Sequence, residues 1–231
     1  MPDSQEFLPS QHGFRFANRW PSEPAVVLAT PLGNINIGNA AAGLCGGMVF
    51  AALDYWHAGQ LPPPGRPVRA DPLYGYLVRR LIDSWHIPAG VAQYFQWMNL
   101  PDDDSAFDVL GWRAITVRGL VSRTTGQQWP RVAADLARGI PAPLGLVTVA
   151  SANPADLRYN HQVVAYDYQA SAGEFTMRVY DPNSGPRDDV FIRFSPGNPA
   201  KPAAFQHNLS IARPVRGFFR VGYAPAVPPA S

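Results

Sequence analysis

The sequence predicts an α+β fold, with helices first and an antiparallel sheet second. Two observations carry this. Apolar residues recur at helical spacing through the first 140 residues or so, and short apolar runs bounded by turn signals fill the remainder. The expected organisation is one domain over 1–224, with a helical part at about 40–140 and a sheet part at about 141–224, followed by a flexible Pro-rich tail at 225–231. The chain has 231 residues, 46% hydrophobic and 16% charged, which is enough apolar material for a sizeable core and argues against disorder.

The first clear helix begins at Cys45. Met48, Val49, Ala52, Leu53 and Trp56 share one face at a 3.6-residue period. The Pro-rich run 61–67 ends it and reads as a surface loop. Asp71-Pro72 then reads as an N-cap followed by proline at the first helical position, with Leu73, Tyr76, Leu77, Leu81 and Trp85 as the buried stripe. Pro88 opens a third helix on Val91, Tyr94, Phe95 and Met98. A fourth runs from Pro130 to Arg138 and is closed by Gly139.

Strands are expected at 143–150, 161–168, 175–180, 190–194 and 217–223. The second and third of these flank Gln169 to Glu174 and read as a hairpin with a six-residue loop. If Tyr168 faces Phe175, the partner of His161 is Pro182, one step from Asp181. His161 and Asp181 therefore fall at the same end of the hairpin, and a one-residue slip sets them opposite each other. A carboxylate there orients an imidazole and stabilises its protonated form.

Cys45 is the only cysteine. A thiol in the first turn of a helix lies in the positive end of the helix dipole, which favours the nucleophilic thiolate. The two glycines that follow cost about 1 kcal/mol each against alanine, so Gly46 and Gly47 imply a close backbone approach, by a substrate or by tight packing. Each piece also has a plainer reading: a lone cysteine as a small core residue, and Asp181-Pro182-Asn183 as a turn.

Together, Cys45-Gly46 at a helix start, the run from Asn160 to Tyr166 and the run from Val179 to Asn183 resemble the papain-like cysteine peptidase superfamily. The nearest likeness is to its bacterial C39-like branch, the relatives of bacteriocin-processing peptidases, over roughly residues 34–194. The resemblance implies a papain-like fold with Cys45 as nucleophile, His161 as general base and Asp181 as the orienting third member. It implies an oxyanion hole built from the Cys45 amide and a side-chain amide about six residues earlier. That family position is glutamine; here it is Asn39, which carries the same donor on a shorter arm, with Asn34 and Asn36 nearby. The implied activity is amide cleavage through a thioester in a peptide or protein substrate, without cofactor or metal. The same triad serves a transglutaminase or deamidase, and a papain-like scaffold that binds without cutting is the alternative from another class.

The remaining features exclude more than they assign. The net charge of +2, with no basic run longer than two residues, gives no footprint for nucleic acid. One cysteine rules out an internal disulfide and suits a reducing compartment; no signal-peptide pattern or membrane-length apolar run is present, so a soluble, cytoplasmic protein is expected. His12, His57, His86 and His207 have no metal-ligand spacing, and Asp102 to Asp104 lack the pattern of a calcium loop. Trp85, Trp97 and Trp112 are candidates for core or groove lining.

Overall fold

The computed structural model describes residues 6–20, 26–30, 33–37, 44–108, 114–196 and 205–230. Its elements run α1 (Pro9–His12), β1 (Val26–Thr30), β2 (Gly33–Ile37), α2 (Cys45–His57), α3 (Pro72–Ser84), α4 (Ala89–Met98), β3 (Ser105–Asp108), β4 (Ala114–Val117), α5 (Leu120–Arg123), α6 (Trp129–Leu136), β5 (Ala142–Val147), β6 (His161–Ser171), β7 (Glu174–Tyr180), β8 (Phe191–Phe194), β9 (Gln206–His207) and β10 (Gly217–Arg220). A π-helical turn (Thr124–Gln128) joins α5 to α6, and a 3-10 turn (Pro154–Tyr159) precedes β6. The fold is α+β. Among the described residues no helix is long and apolar enough to cross a membrane.

The main sheet is antiparallel, six-stranded, in the order β10-β5-β6-β7-β8-β9. Its two faces carry separate cores. Val147, Val164, Tyr180, Phe219 and Val221 pack with α2, α3 and α4. Leu144, Leu146, Val163, Ala165, Met177 and Val179 pack with Trp129, Val132 and Leu136 of α6. The sheet curls around the second core until Phe194 of β8 and Phe218 of β10 meet ring to ring at 5.6 Å. A bridge between Phe205 and Val215 ties the two edges together.

Helices therefore pack on both faces of the sheet. α6 covers the far face, and two small hairpins, β1–β2 and β3–β4, interrupt the helices. Helix α2 is not amphipathic either. Every residue from Cys45 to Tyr55 is buried, because sheet, α1 and α3 surround it. The glycines find their reason in this packing. A Cβ on Gly47 would strike the Leu77 carbonyl of α3. One on Gly46 would strike the Ser84 hydroxyl and come within 2.7 Å of Gln162 Oε1. Gly139 does close α6: at φ +70° its N–H reaches Leu136 O, and Ile140 N–H reaches Asp135 O, a Schellman pairing.

The tail lies against α2 and α3. Asp54 accepts from Ala226 N–H, Tyr55 Oη donates to the Pro229 carbonyl, and Arg80 Nη2 donates to Ala224 O. Asp54 also takes hydrogen bonds from Tyr76, Tyr223 and both Nε and Nη2 of Arg80, so one buried carboxylate gathers two helices and the chain end.

Hairpin β6–β7 departs from the expected register. Its ladder continues through Ser171 and Glu174, leaving a two-residue turn, Ala172-Gly173, at φ 51° and 79°. Glycine takes a left-handed position at no cost, which lets the strands extend to the tip. Tyr168 consequently faces Met177 rather than Phe175. A bulge at Tyr166 then shifts the register, so that Ala165 faces Val179 and Val164 faces Tyr180.

Candidate active site

The bulge decides which side chains meet. One residue beyond the Val164–Tyr180 pair, Asp181 falls across from Val163, two along the strand from His161 and on the same face. Without the extra residue Asp181 would fall across from Val164, whose side chain belongs to the opposite core. The outcome is a direct contact: His161 Nε2 lies 2.7 Å from Asp181 Oδ1.

Asp181 is fully buried and all its acceptor positions are used. Oδ1 also accepts Asn183 N–H at 2.9 Å, while Oδ2 accepts the Ser184 hydroxyl at 2.8 Å and Ser210 N–H at 2.9 Å. The turn reading of Asp181-Pro182-Asn183 and the orienting reading thus describe one arrangement: the carboxylate caps its own turn and holds the imidazole. Burial works against the charged carboxylate. The His161 charge and hydrogen bond and the two backbone N–H groups overcome it and hold the carboxyl below its usual range, at about 2.

An ionised carboxylate only accepts, so Nε2 carries the proton of that hydrogen bond. Nδ1 is left for Cys45, and the Cys45 side chain is a hydrogen-bond partner of His161. Burial is the largest single influence on His161 and disfavours the imidazolium. The Asp181 charge and hydrogen bond, with the Cys45 contact, outweigh it and push the ring up to about 10. The three residues expected from the sequence are therefore brought together in one row: sulfur, imidazole, carboxylate.

Cys45 opens α2 and lines a small cavity of about 20 Å³, room for one water molecule, together with Trp85, Tyr94, Arg158, Asn160 and His161. Its own exposure is 9%, so Cys45 stands in a narrow crevice rather than on an open surface. Asn39, the other residue expected in the oxyanion hole, lies outside the described residues, as does Trp112. The Cys45 amide stands at the first position of α2, where a helix leaves its N–H groups without intrahelical partners. Trp97 is core, and Trp85 reaches the crevice.

Several residues of the site carry no sequence signal. Asn18 Oδ1 accepts Leu44 N–H at 2.8 Å and Trp20 Nε1, while its Nδ2 donates to Asn183 Oδ1 at 3.0 Å. Its backbone N–H reaches Pro182 O. One asparagine from the N-terminal segment thus ties the start of α2 to the turn after Asp181. Gln162, 2% exposed, packs under Gly46 with Oε1 unpaired and hydrogen-bonds the Tyr94 hydroxyl. Only the adjacency of Gln162 to His161 marked it beforehand. Among the described residues no three His, Cys, Asp or Glu side chains are grouped to hold a metal ion.

Comparisons with family models, with curated proteins and with solved structures return no match to this chain.

Proposed function

We propose that the protein is a thiol hydrolase of papain-like architecture that cleaves an amide bond in a peptide or protein substrate. The observation that carries the reading is the Cys45–His161–Asp181 row, in which every polar contact of the carboxylate serves to hold the imidazole toward the sulfur.

The chemistry follows from the contacts. His161 Nδ1 takes the Cys45 proton, and Asp181 stabilises the imidazolium that results. The sulfur attacks the carbonyl carbon, forming a C–S bond and a tetrahedral oxyanion, with the Cys45 N–H as a donor to it. Collapse breaks the C–N bond, and the leaving amine takes the proton from His161. Water then gives His161 a proton as it attacks the thioester, and breakage of the C–S bond releases the acid and restores the thiol. A metal ion or organic cofactor has no step in this cycle.

The test is alkylation of Cys45 by iodoacetamide near neutral pH. The expected rate exceeds that of free cysteine at the same pH and falls by about tenfold or more in His161→Ala. A native rate no greater than that of free cysteine would sink the proposal and leave a non-catalytic scaffold.

A further inference from the structure

We infer that the rim of the Cys45 crevice recognises a carboxylate, so that the substrate is an acidic peptide. The inference rests on the thiol-hydrolase reading and names the substrate class of that site. Arg158, on the crevice wall, is the penultimate residue of the 3-10 turn that leads into His161. Its Cζ lies 4.7 Å from the centroid of the Tyr159 ring, and its Nη2 donates to Tyr159 Oη at 2.6 Å. Arg213, from a separate segment, places its Cζ 4.1 Å from the same centroid. One aromatic ring therefore gathers two exposed guanidinium groups beside the crevice that Arg158 lines.

Neither arginine forms an ion pair with a carboxylate among the described residues. The nearby acids are committed elsewhere. Asp156 accepts from the Ser151 hydroxyl, and Asp181 is saturated by His161, Asn183, Ser184 and Ser210. Two guanidinium groups on one ring repel, and a bound anion relieves that repulsion.

The turn that carries Arg158 is fixed. Thr148 Oγ1 donates to the Tyr159 carbonyl at 2.6 Å, Asn160 Oδ1 accepts Thr148 N–H at 3.1 Å, and Leu157 is buried. The Arg158 guanidinium, bonded to Tyr159 Oη, is thus held in place before anything binds, and Arg213 joins it on the same ring. Their planar fork matches a carboxylate, and less rotamer freedom is lost on binding than from a free arginine.

The test separates recognition from chemistry by using Cys45→Ser protein. Fluorescein-labelled Ala-Glu-Ala-Glu-Ala and Ala-Gln-Ala-Gln-Ala are titrated and read by fluorescence anisotropy. The acidic peptide is expected to bind at least about tenfold more tightly at low salt, with the preference shrinking at high salt. Arg158→Ala/Arg213→Ala should abolish the preference, and Arg158→Glu/Arg213→Glu should invert it toward a lysine-containing analogue. Circular dichroism checks that both variants fold, as substitution of exposed side chains predicts. Equal affinity for the two peptides, no binding of either, or a preference that survives both double variants would overturn the inference. Failure of the hydrolase reading registers separately, as acidic peptide that binds yet is not cleaved by the protein with Cys45 intact.

Discussion

Asn18 Oδ1 accepts the backbone N–H of Leu44, the residue directly before Cys45, at 2.8 Å. A helix N-terminus has donors to spare, and α2 lacks a side-chain cap from its own neighbour Leu44. The N-terminal segment supplies the acceptor instead. Asn18→Ala should cost about 1–3 kcal/mol, since it strands Leu44 N–H and Trp20 Nε1 together. For a chain of this size that is roughly 3–10 °C in Tm. Alkylation of Cys45 should slow in the same variant. Asn18→Asp keeps the acceptor and should recover most of both losses; equal damage from Asp and Ala would show that the acceptor is not what matters.

The His161–Asp181 pair sets a pH signature. His161 is raised above its ordinary value of 6.5, so its contribution to stability is complete below about 6.5 and fades as pH rises toward about 10. Asp181 is lowered, so its contribution is complete above about 4 and fades as pH falls toward about 2. Asp181→Asn should therefore lower Tm most between about pH 4 and 6.5 and progressively less on either side. In the same variant the alkaline limb of the proposed hydrolysis, set by loss of the imidazolium, should move toward lower pH. A Tm difference that is flat from pH 4 to 10 would contradict the ion pair.

Gly46 and Gly47 test how closely α2 is held. Helix propensity alone favours Gly→Ala by about 1 kcal/mol. Packing opposes it, since a Cβ at Gly47 meets backbone, the Leu77 carbonyl, which cannot yield without shifting α3. Gly47→Ala should destabilise by about 1–3 kcal/mol net. At Gly46 the obstacles are side-chain atoms of Ser84 and Gln162. Gly46→Ala should slow Cys45 alkylation, and adding Ser84→Ala, which removes the nearest atom, should restore part of the rate. Denaturant unfolding and iodoacetamide kinetics read the two effects.

Asp54 holds five hydrogen bonds in a buried position, two of them from Arg80. Asp54→Ala leaves the Arg80 guanidinium without its main partner and should cost about 3–5 kcal/mol. The position is two and a half turns along α2 from Cys45. At a temperature where the variant remains folded, Cys45 should alkylate at nearly the wild-type rate. A large loss of reactivity without a loss of stability would mean that the Asp54 cluster reaches the site.

The helices over 45–57, 72–84, 89–98 and 129–136 were legible because local spacing and proline or glycine punctuation set them. Cys45, His161 and Asp181 were legible because helix start and strand ends carry their own signals. The hairpin's end was readable but its register was not, since Ala172-Gly173 shortens the turn and Tyr166 drops out of the ladder. Neither event leaves a periodic trace. Asn18, Ser184 and Ser210 were invisible for another reason: they act across long chain separations, through single polar contacts with no pattern of their own. The full burial of α2 was hidden likewise, because what covers a helix on its second side comes from elsewhere in the chain.

The looped-out Tyr166 makes this hairpin sensitive to counting. Its hydroxyl is anchored on the Asp188 carbonyl at 2.8 Å, so the kink has an attachment of its own. Deleting that one amino acid would send the acid and the imidazole to opposite sides of the ribbon while leaving Cys45, His161 and Asp181 all in the sequence. Lengthening the tip beyond Ser171 would leave them paired, because it adds chain on the far side of the kink. Parity along the ribbon, rather than the list of functional groups, is what such a protein must preserve as its loops grow and shrink.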